Sequence, residues 1–148
     1  MRIVGLDIAT KTGWCVLVDG ECVSWGTLNL TPKKGEREGL RYWRLAMLLP
    51  EVIEGADLVV IERTYSKGAK TAQVLKGLAA VALVACEIND IPYEFVDASH
   101  LKRWATGKGN AKKPEMIAAA LAAIGVTEGM TDDEADAYHL AAYGQAHQ

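Results

Sequence analysis

No apolar run in the 148-residue chain is free of charge long enough to span a bilayer, and Met1-Arg2-Ile3-Val4 leads straight into a strand pattern. Neither a membrane anchor nor a signal peptide is therefore expected. Metal-ligand cysteine spacing is also missing. Cys15, Cys22 and Cys86 are odd in number and sit inside apolar segments, which points to reduced, buried, inert thiols and to the cytoplasm. A Gly-rich Walker phosphate loop is absent, because Gly107-Lys108-Gly109 fails that spacing. No repeat or low-complexity segment is visible. Positive charge is scarce on average: 16 Lys and Arg against 19 Asp and Glu give a formal net charge of −3, which on its own argues against a polyanionic partner.

The average conceals a segregation. Ser99 to Pro114 carries Lys102, Arg103, Lys108, Lys112 and Lys113 without a single acid, and Arg63, Lys67, Lys70 and Lys76 follow soon after Glu62. Acids and bases separated in this way suit a cleft for a polyanion, although a lone lysine on a helix is ordinarily just solvated. With half its residues hydrophobic, the chain is long enough for one well-filled core, so residues 1–148 are expected to form a single domain.

Periodicity supplies the order of elements. Ile3 to Ile8 reads as a central strand, apolar except for Asp7; Trp14 to Val18 and Glu21 to Leu30 follow, joined by the hairpin dipeptide Asp19-Gly20. Thr31 to Gly35 is a loop, and Glu36 to Ile53 has helical spacing, with Pro50 marking its last turn or a kink. Asp57 to Ile61 is a strand buried on both faces with Glu62 at its carboxyl end; Lys70 to Glu87 is a long helix of small apolar residues; Tyr93 to Val96 is a further strand. Three helices are expected to close the chain, at Ala98 to Trp104 (capped by Asp97 or Ser99), Pro114 to Ile124 and Glu134 to Tyr143. Together these describe an α/β fold with a mixed five-stranded sheet, the first three strands antiparallel, and helices on both faces, an order that resembles the ribonuclease H-like architecture.

Four acids stand out against this frame. An acid at a strand end is commonly a turn cap, but Asp7 lies within Ile3-Val4-Gly5-Leu6-Asp7-Ile8-Ala9, where an unpaired carboxylate is costly unless a cation or hydrogen bonds compensate it. Glu62 repeats the anomaly after Val59-Val60-Ile61. In Thr131 to Ala137 the acids at a helix start explain themselves by capping and the helix dipole, which accounts for Asp132 or Asp133 and for Glu134. Asp136 is not explained this way, since Ala137, Leu140, Ala141 and Ala142 follow as a buried helix face, and Asp133 lies three residues before it on the same side. Asp132 and Glu134 are expected to be solvated. Brought to one point, Asp7, Glu62, Asp133 and Asp136 form a hard, all-oxygen donor set for two divalent cations, the equipment of phosphodiester hydrolysis. Trp14, Trp25, Trp43 and Trp104 are assigned to packing, and His100, His139 and His147 are left outside the site.

Gly5-Leu6-Asp7 with Thr12-Gly13, Val60-Ile61-Glu62, Leu101-Lys102 through Gly107, Gly109, Ala111 and Lys113, and finally Asp133, Asp136 and Ala137 occur in the order of the motifs of the RuvC-like Holliday junction resolvases, a family the chain resembles from about Ile3 to Tyr143. The first turn, Ile8-Ala9-Thr10-Lys11-Thr12, lacks the Pro-Gly often found in that family, and the chain is short for it, as in versions from bacteriophages and mobile elements. The resemblance implies that Asp7, Glu62, Asp133 and Asp136 bind metal, two Mg²⁺ per site with Mn²⁺ as a substitute. It implies that Lys102 and Lys113 lie near the cleaved strand, with Lys113 stabilising phosphorane charge. Tyr65 matches an aromatic that stacks on bases near the branch point, flanked by Lys67 and Lys70, while Arg103, Lys108 and Lys112 complete the basic surface for nucleic acid.

The expected activity is cleavage of branched DNA to 5′-phosphate and 3′-hydroxyl ends. Paired cuts require two metal sites, hence a homodimer, for which the apolar helix with Ala79, Ala80, Val81, Leu83 and Val84 is the candidate interface. A ribonuclease H-like or YqgF-type nuclease acting on RNA or RNA–DNA hybrid, a non-catalytic DNA-binding module, and an actin-like kinase or ATPase fold are the competing readings. The chain is too short for the two domains of the last.

Overall fold

The computed structural model describes residues 1–66 and 68–148. Strand β1 (Arg2–Asp7) is central. It pairs antiparallel with β2 (Lys11–Val18), which pairs antiparallel with β3 (Glu21–Asn29), and on its other side it pairs parallel with β4 (Leu58–Arg63), followed by parallel β5 (Tyr93–Asp97). The sheet order is β3-β2-β1-β4-β5, the mixed arrangement expected. Asp19 and Gly20 both take positive φ, 50° and 86°, as the tight hairpin requires, and glycine meets that demand without steric cost.

Alternation along the strands divides the core into two layers. Val4, Leu6, Ile8, Val16, Val59 and Ile61 face α1 (Gly39–Ile53) and α2 (Ala69–Ile88). Ile3, Cys15, Leu17, Leu58, Val60 and Val96 face the other way, towards α3 (Ala98–Thr106), α4 (Lys113–Ile124) and α5 (Asp132–Ala146). Each sheet face thus buries a continuous apolar surface, so β1 and β4 read as unbroken hydrophobic runs.

Some boundaries and assignments differ from expectation, while Pro50 in the last turn of α1 and Asp97 at the cap of α3 match it. Helix α1 starts at Gly39 rather than Glu36, because Glu36 closes a turn: its N–H donates to the Lys33 carbonyl (3.0 Å) and its carboxylate accepts from the Lys33 N–H (2.6 Å) and pairs with Arg44. Pro50 lies inside α1, which continues to Ile53 because Leu49 and Ile53 are both fully buried. Helix α5 begins two residues earlier than expected, and its cap is Thr131, not an acid. The Thr131 hydroxyl accepts from the Glu134 N–H (3.2 Å) and the Glu134 carboxylate accepts from the Thr131 N–H (2.9 Å), a reciprocal capping box. Asp97 caps α3 by position without a side-chain hydrogen bond. Trp43 is 58% exposed and Trp104 39%, so neither is a core residue. Cys22 is half-buried and touches Cys15. Helix α2, 20 residues, is long and apolar enough to cross a membrane by length and composition, contrary to the reading that no segment is; here Leu78, Ala82, Ala85 and Cys86 bury one side of it in the core beside α1.

The packing of α5 on the sheet is unusually close. A Cβ on Gly5 would lie 1.9 Å from the Ala137 carbonyl oxygen, and one on Gly13 2.1 Å from the Asp133 carbonyl oxygen. Both obstacles are helix backbone, which cannot rotate aside. Two further bonds pin the start of the helix to β3: Thr27 donates to Glu134 (2.8 Å), and the Trp25 indole donates to the Gly129 carbonyl (3.0 Å) in the preceding loop. Gly5→Ala is expected to cost about 3 kcal/mol of unfolding free energy, at the upper end for overpacking because the clash is with backbone. Urea denaturation measures this, and a loss within ~0.5 kcal/mol, the range of ordinary surface changes, would mean that α5 is not seated as described.

Candidate active site

Asp7 ends β1, and Glu62 lies one residue past the parallel Leu6–Ile61 pairing, so the register sets the two carboxylates side by side at the carboxyl ends of neighbouring central strands. Ligand sites in open α/β sheets lie at that edge. The seat at Gly13 carries the first turn of α5 over the same edge and brings Asp133 and Asp136 with it. A buried hydroxyl shapes the adjoining turn: Thr12, fully buried, donates to the Ala9 carbonyl (2.6 Å).

The four acids feel one another. The Asp7 carboxyl is pushed well above the usual carboxylate range, first by burial and then by the charges of Glu62, Asp136 and Asp133. Glu62 rises to about 7, from burial and from Asp136, opposed by Lys102. Asp136 rises to about 6, from burial and Asp132, again opposed by Lys102. Asp133 is raised by burial and by Asp132. Among the described residues none of the four has a basic ion-pair partner. Buried acids that repel one another and have no ion-pair partner of their own suit divalent cations, and the donors are all hard oxygens. Among the described residues, however, no group of three or more histidines, cysteines, aspartates or glutamates stands close enough together to hold a metal ion.

The predicted basic residues fall into two groups. Lys102, half-buried on α3, and Lys113, on the first turn of α4, act on the acids directly: Lys102 lowers the pKa of Glu62 and Asp136, and Lys113 that of Asp133 and Asp136. Lys113 forms an ion pair with Asp132 (2.8 Å), so Asp132 is a partner at the site mouth rather than a solvated bystander. Glu134 belongs to the cap and to Thr27. Lys112, exposed, precedes α4; Lys108 pairs with Glu115 at 3.8 Å; Arg103, exposed, lies 3.2 Å from where a Gly109 Cβ would stand. Tyr65 is 78% exposed in the loop after β4, and Lys70 is exposed in the first turn of α2. Lys67 lies outside the described residues. Arg63 is occupied by Asp97 (3.2 Å) and lies over the Phe95 ring. His139 is packed, 4% exposed, with Nε2 on the Met116 carbonyl (2.9 Å), and burial lowers its pKa.

The crossover junction endodeoxyribonuclease RuvC of Chlamydia caviae is 31% identical over 151 residues, covering 94% of this chain and 89% of its own. This chain belongs to the RuvC family. The RuvC of Carboxydothermus hydrogenoformans is 27% identical over 158 residues, covering 97% of this chain and 95% of its own. No family model matches the sequence. Thermus thermophilus RuvC, solved in complex with a Holliday junction substrate, superposes with a TM-score of 0.85 at 20% identity over 99% of this chain and 96% of its own. A second Thermus thermophilus RuvC structure gives 0.82 at 21% identity over 96% of this chain and 92% of its own. The fold of RuvC, ribonuclease H-like, is therefore the fold of this protein, and it is an endonuclease of a metal-dependent family.

Raised carboxyl pKa values make the metal-free site a source of instability at neutral pH. A carboxyl whose folded pKa exceeds its unfolded one favours folding while protonated, and that contribution disappears as pH rises through the folded value. For Glu62, 4.5 against about 7 corresponds to roughly 3 kcal/mol, lost between about pH 4.5 and 7, with Asp136 titrating in the same window as part of a coupled set. Metal-free protein should melt at a higher temperature at pH 5.5 than at pH 8, and Mg²⁺ should recover the difference at pH 8. Asp7→Asn should raise the metal-free melting temperature at pH 8. A melting temperature indifferent to pH, metal and this substitution would show that the carboxylates do not repel one another.

Proposed function

We propose that this protein is a homodimeric, structure-specific endodeoxyribonuclease that resolves four-way and related branched DNA by paired phosphodiester hydrolysis. The observation that carries the reading is the meeting of Asp7, Glu62, Asp133 and Asp136 at one sheet edge, where burial and mutual repulsion outweigh the partial relief from Lys102 and Lys113. The substrate class follows from the family, whose members named above are crossover junction endodeoxyribonucleases. The four carboxylates would hold two divalent cations, Mg²⁺ or in its place Mn²⁺, which supply Lewis-acid stabilisation of the attacking and leaving oxygens. The chain's own groups position the strand. Lys102, inside the field of Glu62 and Asp136, binds a phosphate oxygen beside the scissile bond. Lys113 exchanges Asp132 for the phosphate and stabilises its developing charge, which an ammonium on a flexible stem can do. Exposed Tyr65 offers a face for base stacking at the branch point, and the exposed Lys70, Arg103, Lys108 and Lys112 add positive charge for phosphate contacts, a role the family resemblance also gives to Lys67. Action on DNA fits a cytoplasmic location.

Support for the dimer comes from the outer face of α1 and α2. Trp43, Met47, Val84 and Ile88 are all exposed there, and Val84 and Ile88 line an apolar groove with Ala46, Pro50, Ala80 and Val81. Such a face is costly in water unless a second copy covers it.

A labelled four-way junction incubated with the purified protein and Mg²⁺ should yield symmetric paired nicks, and an RNA–DNA hybrid or plain duplex should not be cut comparably. Preferential cutting of the hybrid would assign the chain to the RNA-directed alternative. Asp7→Asn should abolish nicking while a gel-shift assay still detects junction binding, and Lys113→Met should slow cleavage roughly 100-fold with binding retained. Val84→Glu should convert the dimer to a monomer in sedimentation and uncouple the two nicks; a wild-type monomer at assay concentration would refute the dimeric reading.

A further inference from the structure

The Sγ atoms of Cys15 and Cys22 lie 3.5 Å apart across the β2–β3 hairpin, away from the acidic edge. Strand register explains the contact. Cys22 pairs with Leu17, and Cys15 lies two residues further along β2 on the same face; between them the register shifts at Val16 and Leu17, leaving Val23 as an extra residue on β3. A bulge of this kind sharpens the local twist. The two thiols differ in access. Cys15 is fully buried, whereas Cys22 is half-buried and lines a mostly polar pocket with Glu21, Ile124 and Tyr138. The hydrogen bond between them favours the thiolate at Cys22 and holds the proton on Cys15. Cys86 sits in the opposite core layer, with the sheet between it and the pair.

We propose that Cys15 and Cys22 are a redox dithiol: Cys22 reacts first with a peroxide or a small disulfide entering through the pocket, and Cys15 resolves the adduct as a cross-strand disulfide. With hydrogen peroxide, the Cys22 thiolate breaks the O–O bond and becomes a sulfenic acid, releasing the other oxygen as water. The Cys15 sulfur then forms the S–S bond and expels the sulfenic oxygen as a second water, so two thiols lose two electrons and one peroxide gains them. With oxidised glutathione, Cys22 displaces one glutathione thiolate and Cys15 the other, which leaves two reduced glutathione molecules. Closing the contact to the ~2.05 Å of a disulfide draws the strands together at a diagonal position, so the bridge is strained and readily reopened by thiols.

The whole protein, exposed to peroxide or oxidised glutathione, quenched, alkylated in denaturant and analysed by mass spectrometry, is expected to fall from three alkylatable cysteines to one, Cys86. Cleavage after Glu21 should leave the Cys15 and Cys22 fragments joined until dithiothreitol is added. Cys22→Ser should leave Cys15 alkylatable after oxidation, and Cys15→Ser should trap a sulfenic acid or glutathione adduct on Cys22. Should wild-type protein keep a stable adduct on Cys22 with Cys15 still alkylatable, form bridges through Cys86, or retain all three thiols, the dithiol assignment is wrong; the wild-type measurement decides this even where a cysteine variant fails to fold.

Discussion

Helix α5 meets β1 and β2 at backbone distance, because Gly5 and Gly13 present no side chain towards it. The first turn of that helix carries Asp133 and Asp136, so the same close approach that completes the core on this side of the sheet also completes the acidic cluster over Asp7 and Glu62. Packing and chemistry share one contact. An ordinary residue at either glycine would push the helix outward, and a cluster of carboxylates drawn from three elements is more sensitive to such displacement than a hydrophobic layer is. The capping box at Thr131 and Glu134, with Thr27 bonded to Glu134, fixes the helix along its axis in the same way that the glycines fix its height.

The cluster stands in tension with the fold that holds it. Burial and mutual repulsion raise the pKa of all four carboxyls, and the nearest positive charges are offset: Lys102 offsets only part of the field at Glu62 and Asp136, and Lys113 is shared with Asp132. A core designed for stability would replace these acids by apolar side chains. Their retention is intelligible when the missing positive charge comes from outside the chain, and the RuvC family, metal-dependent nucleases, provides that setting.

The opposite side of the sheet tells a different story. Helices α1 and α2 bury their inner faces against Val4, Leu6, Val59 and Ile61, yet their outer faces keep Trp43, Met47, Val84 and Ile88 in the open. One helix is apolar on two sides, which is why α2 resembles a membrane span in composition.

Local pattern was enough for much of this. Strand order, the Asp19-Gly20 hairpin, the two-faced burial of β4 and the anomalous acids Asp7, Glu62 and Asp136 are all legible because periodicity and turn chemistry act over a few residues. The capping box is written in the sequence too, as the Thr-x-x-Glu pattern of Thr131-Asp132-Asp133-Glu134. Other features depend on residues far apart in the chain. That Asp132 would hold Lys113, that Arg63 would be occupied by Asp97, that Trp43 would face outward, and that Cys15 and Cys22 would touch across a bulge could be settled only when the sheet register and the height of α5 were known. Neighbouring residues set the type of each element through short-range sterics and hydrogen bonding, whereas side-chain partners are chosen by contacts between elements, and those distances exist only in the assembled fold.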